Sequence, residues 1–237
     1  NGGEKVITAI LPVLDDMGKT LILRKVLADC RDKMVYFGKN VHKPGYVAEI
    51  KSFLSEMLQY GIDQEKLEEM IESASERPVL QKKLQDMAVA YEAFGDYLQN
   101  HYITSEEVLT VLCDVVPESE LLRGAVVCLD GFTGFTPVQY RLIEQLMRCC
   151  KEIYLTVTIS PGEEIVNVGA KHRLFYMSRK TMNKFRQIAS KCHAEVCPEI
   201  WTGKEIKKTR FAEAAGIDHL EKHLFRYPVQ PYQGEPD

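Results

Sequence analysis

Phosphate chemistry needs a lysine beside a hydroxyl, or a carboxylate at the end of a strand, and this sequence offers one of each. Gly18-Lys19-Thr20 supplies the lysine and hydroxyl of a phosphate loop. That loop also requires a glycine five positions before Gly18, where Val13 stands, and no strand is expected to lead into it. The segment therefore reads as a helix start or a turn. The second place is Val126-Val127-Cys128-Leu129-Asp130-Gly131-Phe132-Thr133-Gly134-Phe135-Thr136-Pro137-Val138-Gln139-Tyr140. Asp130 closes an apolar run that reads as a buried strand, and the carboxyl ends of such strands are where open α/β sheets bind ligands. A carboxylate there can hold magnesium; an aspartate before glycine equally shapes a turn. Gln139 has the same two readings. It is a candidate for a vestigial cofactor contact, yet Thr136 as N-cap, Pro137 at the first helical position and Gln139 at the third also make a capping box.

Further along, residues 174–192 form an expected helix carrying Arg179, Lys180, Lys184, Arg186 and Lys191, with Arg173 just before it. A second basic cluster follows at Lys204, Lys207, Lys208 and Arg210. Arg179, Lys180 and Lys184 are the candidate DNA-phosphate contacts, against the alternative of a solvated outer face on an amphipathic helix. Phe132, Phe135, Tyr140 and Tyr176 either stack on bases or fill core. The histidines, among them His42, His101, His172 and His193, show no ligand spacing, and no nucleophile, base and orienting acid can be assembled. No catalytic residue and no metal site is expected.

These residues need elements to position them. From Tyr46 to about Asp114 the apolar spacing is helical throughout. Val47, Ile50, Phe53, Leu54, Met57 and Leu58 follow the Pro44-Gly45 break, and Leu80, Leu84, Met87, Tyr91, Phe94 and Leu98 line a longer helix. Between them Asp63 can cap a short helix carrying Leu67, Met70 and Ile71. Thr104 with Glu107 forms a capping box ahead of Val108, Leu109, Val111 and Leu112. This makes a four-helix lobe. After Gly124 the pattern changes to an apolar run at 125–129, a helix at 136–150 and a β-branched run at 153–159, a βαβ unit. Parallel strands need partners and helices on both faces, so the segment from Val6 to Phe37 is expected to join the same layered body. The expected fold is α/β: residues 1–42 in the α/β layer, an inserted helical lobe at 43–122, and the α/β layer resumed at 123–237 with a terminal linker.

The bulk numbers restrict function. At 237 residues the chain can bury one good core or two small ones. No stretch approaches the roughly 20 apolar residues of a membrane helix, and no signal segment opens it, so no membrane contact is expected and a cytoplasmic, soluble chain is. Seven cysteines without a paired CxxC spacing suit reduced thiols and disfavour zinc. A net charge of -4 argues against a free-standing electrostatic nucleic-acid binder while leaving a local basic stripe open. Asn1-Gly2-Gly3 and the proline-rich end from Pro228 to Asp237 read as the ends of a piece of a longer protein.

The run from Cys128 to Met147 resembles the second motif of UvrD-like helicases, in which an Asp-Glu pair at a strand end precedes a proline- and glutamine-bearing turn and a helix. Asp130 matches the magnesium-binding acid, and Gly131 occupies the place of the catalytic glutamate. A glycine cannot orient or deprotonate the attacking water, so the resemblance implies a hydrolytically dead site. The pattern Asp-Gly-Phe-Thr-Gly-Phe-Thr-Pro-x-Gln is similar to that of the AddB subunits of bacterial AddAB helicase–nucleases. So are Pro44-Gly45-Tyr46, Lys83-Leu84-Gln85-Asp86 with Tyr91, Arg179-Lys180-Thr181, and the run from His219 to Pro228. The resemblance spans roughly residues 45–228. It implies a degenerate P-loop-NTPase-like (UvrD-type) parallel sheet with an inserted helical lobe, and a scaffold role in processing double-strand DNA ends for recombinational repair. It implies an AddA-type helicase/nuclease partner and contact with single- and double-stranded DNA. Magnesium and ATP would belong to the partner motor, the iron–sulfur cluster to the family's carboxyl-terminal part, and the phosphate loop would precede Asn1. No cofactor is therefore expected in this chain. The rival readings are a protein-only adaptor and an active nucleotide hydrolase.

Overall fold

In a computed structural model of the chain, residues 11–99, 101–160, 163, 166–201, 211 and 213–234 are described. The start of the first expected α/β segment, Val6 to Ile10, lies outside them, as does the basic cluster Lys204, Lys207, Lys208 and Arg210. The fold is α/β and mostly helical, with small parallel sheets. Contacts divide it into two units, residues 1–124 with 136–149, and residues 125–135 with 150–237.

The first unit is built on helix ends that the sequence marks clearly. Strand β1 (Val13–Leu14) runs into helix α1 (Asp16–Cys30), whose N-cap Asp15 accepts the Gly18 N–H at 2.6 Å. Pro44 opens α2 (Pro44–Tyr60), which ends on Gly61 in the left-handed conformation. Asp63 caps α3 (Gln64–Ser73) through the Lys66 N–H at 3.0 Å, and that bond holds its carboxyl below the ordinary range. Pro78 opens α4 (Pro78–Leu98). Strand β2 (Ile103–Thr104) leads into α5 (Ser105–Val115), where the expected capping box is formed: Thr104 N–H donates to Glu107 at 2.7 Å, and Glu107 N–H donates to Thr104 Oγ1 at 3.3 Å. Helix α6 (Pro137–Cys149) packs against α5 and the 3-10 turn Val116–Glu118.

Leu23 and Leu27 of α1 join Val47, Ile50, Leu54 and Met57 of α2, Leu67 of α3, and Leu84, Met87, Phe94 and Leu98 of α4 in one core. Residues 11–42 therefore pack with the helices, because α1 buries Leu23, Val26, Leu27 and Cys30. A buried carboxylate ties the connection after α1 to α4. Asp86, 1% exposed, accepts the N–H groups of Val35 at 2.8 Å, Tyr36 at 2.8 Å and Phe37 at 2.6 Å.

Strands β1 and β2 pair in parallel, Val13 with Ile103 and Leu14 with Thr104. Contrary to expectation, then, a strand does lead into Gly18-Lys19-Thr20. Two residues are too few for an alternating pattern to be visible in the sequence. The pairing sets the N-termini of α1 and α5 side by side.

In the second unit, strands β3 (Val126–Leu129) and β4 (Glu152–Leu155) pair in parallel with Leu129 opposite Leu155. With the helix between them in sequence, they are the expected βαβ connection. Two details differ. Strand β4 stops at Leu155 rather than running to Ile159, because Leu129 is the last residue that β3 offers: its C=O takes the Thr156 N–H at 3.0 Å, and Gly131 turns the chain away at φ 76°. The strands are also not buried on both faces. Val126 is 52% and Tyr154 51% exposed, since no element among the described residues covers that side. Helix α7 (Tyr176–Cys192) and helix α8 (Ala215–His223) complete the unit.

Candidate functional site at the strand ends

The site is the carboxyl edge of the β3–β4 pair. The register that sets Leu129 opposite Leu155 makes the next residues neighbours, and the Thr156 hydroxyl donates to Asp130 Oδ1. Asp130 is exposed, and a carboxylate joined to a hydroxyl is an oxygen donor pair of the kind hard cations take. Gly131 follows it in the left-handed region, so the position beside the carboxylate carries no acid. Beyond it Phe132 and Phe135 stack, ring centroids 4.8 Å apart, and Phe135 leans on Phe185 of α7 at 5.5 Å. Phe135 thus anchors the turn on the helix, and Phe132 keeps an exposed face.

Helix α7 holds the segment after β4. Ser178 Oγ donates to the Thr158 C=O at 2.7 Å, and Asn183 Nδ2 donates to that of Val166 at 2.8 Å. Arg179 faces inward, only 2% exposed. This corrects the expectation of an outward cation: Arg179 is covered by the segment that follows β4, with Glu163, the Asn167 C=O and Gly169 against its guanidinium, while Lys180 stays exposed. Its Nη1 lies 3.4 Å from Glu163 Oε2 and 3.4 Å from the Asn167 C=O. Lys180 and Lys184 are exposed and one turn apart, the spacing at which two cations share a helix face. Arg186 pairs with Glu199, whose carboxyl is held below its ordinary range by a backbone hydrogen bond and then by Arg186.

Gln139 belongs to the first unit, where its side chain is engaged: Oε1 accepts the Thr136 N–H at 2.8 Å, and its own N–H donates to Thr136 Oγ1 at 3.4 Å. That is the capping box. Lys19 is likewise engaged. It is 5% exposed, and its Nζ donates to both oxygens of Glu106 at 2.8 and 2.7 Å and to Ser55 Oγ at 3.2 Å, so it holds α1 to α5 and α2.

Two participants escaped the sequence reading. Thr156 could have been found by aligning the two apolar runs, which sets it beside Asp130; the acid partner of Arg179 lies 16 positions away with no spacing signal. On the exposed sheet face Tyr154 donates to Glu152 at 2.7 Å, lowering that carboxyl and raising the phenol. No group of three or more His, Cys, Asp or Glu side chains able to hold a metal occurs among the described residues, and none of the described helices is long and apolar enough to cross a membrane.

A family profile described as "ADDB, N-terminal" matches residues 4–221. The B subunit of the ATP-dependent helicase/deoxyribonuclease of Lachnoclostridium phytofermentans is 40% identical over 227 residues, 95% of this chain and 20% of that protein. The proteins of the same name from Moorella thermoacetica and Desulforamulus reducens are each 29% identical, over 96% and 92% of this chain. The chain spans about a fifth of the length of the relatives it matches. With nearly all of its length accounted for in this way, the chain belongs to the AddB amino-terminal family.

Proposed function

We propose that this chain is a helicase-like region that binds DNA and assembles with an AddA-type motor protein without hydrolysing nucleotide itself. In this reading it is a degenerate P-loop-NTPase-like body of UvrD type, divided as 1–42, inserted lobe 43–122 and 123–237. The relatives' name, which makes each the B subunit of an ATP-dependent helicase/deoxyribonuclease, supports a partner protein and a DNA substrate. Processing of double-strand ends for recombinational repair is the corresponding cellular role.

The observation that carries the non-catalytic part is Gly131. At φ 76°, beside a carboxylate already taken by Thr156, it leaves no general base where hydrolysis needs one. Asp130 then persists as a vestige of a cofactor site, and Lys180 and Lys184 are the exposed cations for DNA phosphates. A protein-only adaptor is favoured by one feature, the half-exposed apolar face of Val126 and Tyr154.

Titration of fluorescent single-stranded and forked DNA at several salt concentrations, with and without magnesium-ATP, separates the readings. Anisotropy that rises identically with or without ATP and weakens steeply with salt is the expected result. Absence of binding at low salt would favour the adaptor, and ATP hydrolysis would overturn the non-catalytic assignment.

A further inference from the structure

Arg179 is buried, yet its Nε and Nη2 have no hydrogen-bond partner among the described residues. Native proteins satisfy about nine in ten or more of their buried donors, so two orphans on one cation point to a missing acceptor. These two nitrogens are the parallel fork with which a guanidinium grips two oxygens of one oxyanion. Only Nη1 is engaged, by Glu163 and by the Asn167 C=O, both at a long 3.4 Å.

A second guanidinium reaches the same segment after β4. Arg226 Nη2 donates to Ser160 Oγ at 3.0 Å, and its Nε is also buried without a partner among the described residues. Gly169 closes over Arg179. Its φ of 69° is a left-handed conformation that suits glycine, and a Cβ there would be in van der Waals contact with Arg179 Nη2 at 3.4 Å. Both guanidiniums thus reach the segment that follows β4, Arg179 at Glu163 and Asn167 and Arg226 at Ser160.

We propose that Arg179 is the receptor for a phosphate group, that of a single-stranded DNA backbone, which displaces Glu163. A phosphate fits better than a carboxylate because it carries more charge and more acceptor oxygens to the Arg179 fork, on a helix that also presents the exposed cations Lys180 and Lys184. The choice of DNA as the source rests on the DNA-binding reading above; the phosphate chemistry does not.

The test follows the arginine Nε–H resonances of the 237-residue chain by ¹⁵N-edited NMR, assigned with Arg179→Lys, during titration with inorganic phosphate, ADP and an oligothymidylate of about 12 nucleotides. The expected result is a saturable shift of the Arg179 signal with the oligonucleotide. Arg179→Lys, which keeps the charge but lacks the fork, should weaken that binding about tenfold. Glu163→Gln, which removes the competing carboxylate, should tighten it about threefold. A shift with ADP but not with the oligonucleotide keeps the phosphate site and overturns DNA as its source. Shifts only at very high inorganic phosphate, or Glu163→Gln lowering stability with no change in binding, would mean an adventitious ion or a purely structural ion pair and overturn the proposal. DNA bound by anisotropy while the Arg179 signal stays still would sink this inference and leave the DNA reading intact.

Discussion

Lys19 and Arg179 are both cations taken out of water, one in each unit, and the chain treats them oppositely. Lys19 has a complete shell of three oxygens from Glu106 and Ser55 at 3.2 Å or less. Arg179 has one carboxylate and one carbonyl at 3.4 Å and two donors without a partner among the described residues. Desolvating a cation costs several kcal/mol, and only good geometry with further hydrogen bonds offsets it. The first cation is therefore a fastener between helices. The second is a tension that something else must relieve. The comparison inverts the sequence impression, in which Gly18-Lys19-Thr20 looked like the phosphate-binding place and Arg179 one of several surface charges.

The largest effect should come from Lys19→Met, which leaves Glu106 uncompensated with its side chain 9% exposed. We expect a loss of about 3–5 kcal/mol in urea unfolding followed by circular dichroism. Adding Glu106→Leu should recover most of it; a double variant as unstable as the sum of the singles would mean that Lys19 acts by packing alone. Next comes Asp86→Asn, which offers one acceptor oxygen in place of a carboxylate that receives three N–H groups. A cost on the order of 2–3 kcal/mol is expected in the same assay, with the 34–37 turn exchanging its amide protons faster.

The Lys19–Glu106 pair also carries a pH signature. Burial pushes the Glu106 carboxyl up, but hydrogen bonds from Lys19, its own backbone N–H and Ser55 outweigh this and hold it below the ordinary carboxylate range. A folded value below the unfolded one contributes stability that is present above the unfolded value and lost as pH falls through the folded one. The stability gap between the parent and Glu106→Gln should therefore be widest near neutrality and close in acid. A gap that is unchanged at low pH would show that shape rather than charge matters there.

The helical elements were legible because caps and periodicity are local signals. Asp63, Thr104 with Glu107, and Pro44 mark helix starts within a residue or two, and Leu67, Leu84, Met87 and Phe94 bury as their spacing implies. What was hidden depends on distant partners. Lys19 and Glu106 are 87 positions apart, and Asp86 meets its turn across about 50. The β3–β4 strands read as buried because an apolar run resembles a doubly covered strand, whereas Val126 and Cys128 lie exposed on one face. Within the candidate site Asp130 was correctly placed at a strand end, but its partner Thr156 required the register. Arg179 was grouped with Lys180 by adjacency, and what covers it, the segment of Glu163, Asn167 and Gly169, lies 10 to 16 positions away with no spacing signal.

Gly131 offers a smaller test of the second unit. A Cβ there would meet nothing within 4 Å, so Gly131→Glu pays only for the left-handed backbone, about 1–2 kcal/mol. It restores a carboxylate next to Asp130, but proximity alone does not make a base of it, since no described phosphate loop presents a nucleotide. No phosphate release from magnesium-ATP is expected in a colorimetric assay. Turnover in this variant would show that nucleotide does reach the strand edge and that Gly131 alone silences it.

The smallest expected effect is the most telling for the comparison of the two cations. Arg179→Met removes a buried charge together with two orphaned donors, and it leaves behind a Glu163 side chain that is 24% exposed and can be hydrated. Replacing a poorly satisfied buried ion by an apolar side chain of similar length is often neutral or stabilising, so the change in unfolding free energy should stay within about 1 kcal/mol of zero. Lys19→Met is the matched control: the same new side chain, a similar degree of burial, and a well-satisfied cation removed. If Arg179→Met costs as much as Lys19→Met, its fork is satisfied in solution by something as good as the Glu106 shell, and Arg179 is a fastener too. If it costs little, the guanidinium is kept for a reason other than folding, and its orphaned fork is the feature left to account for it.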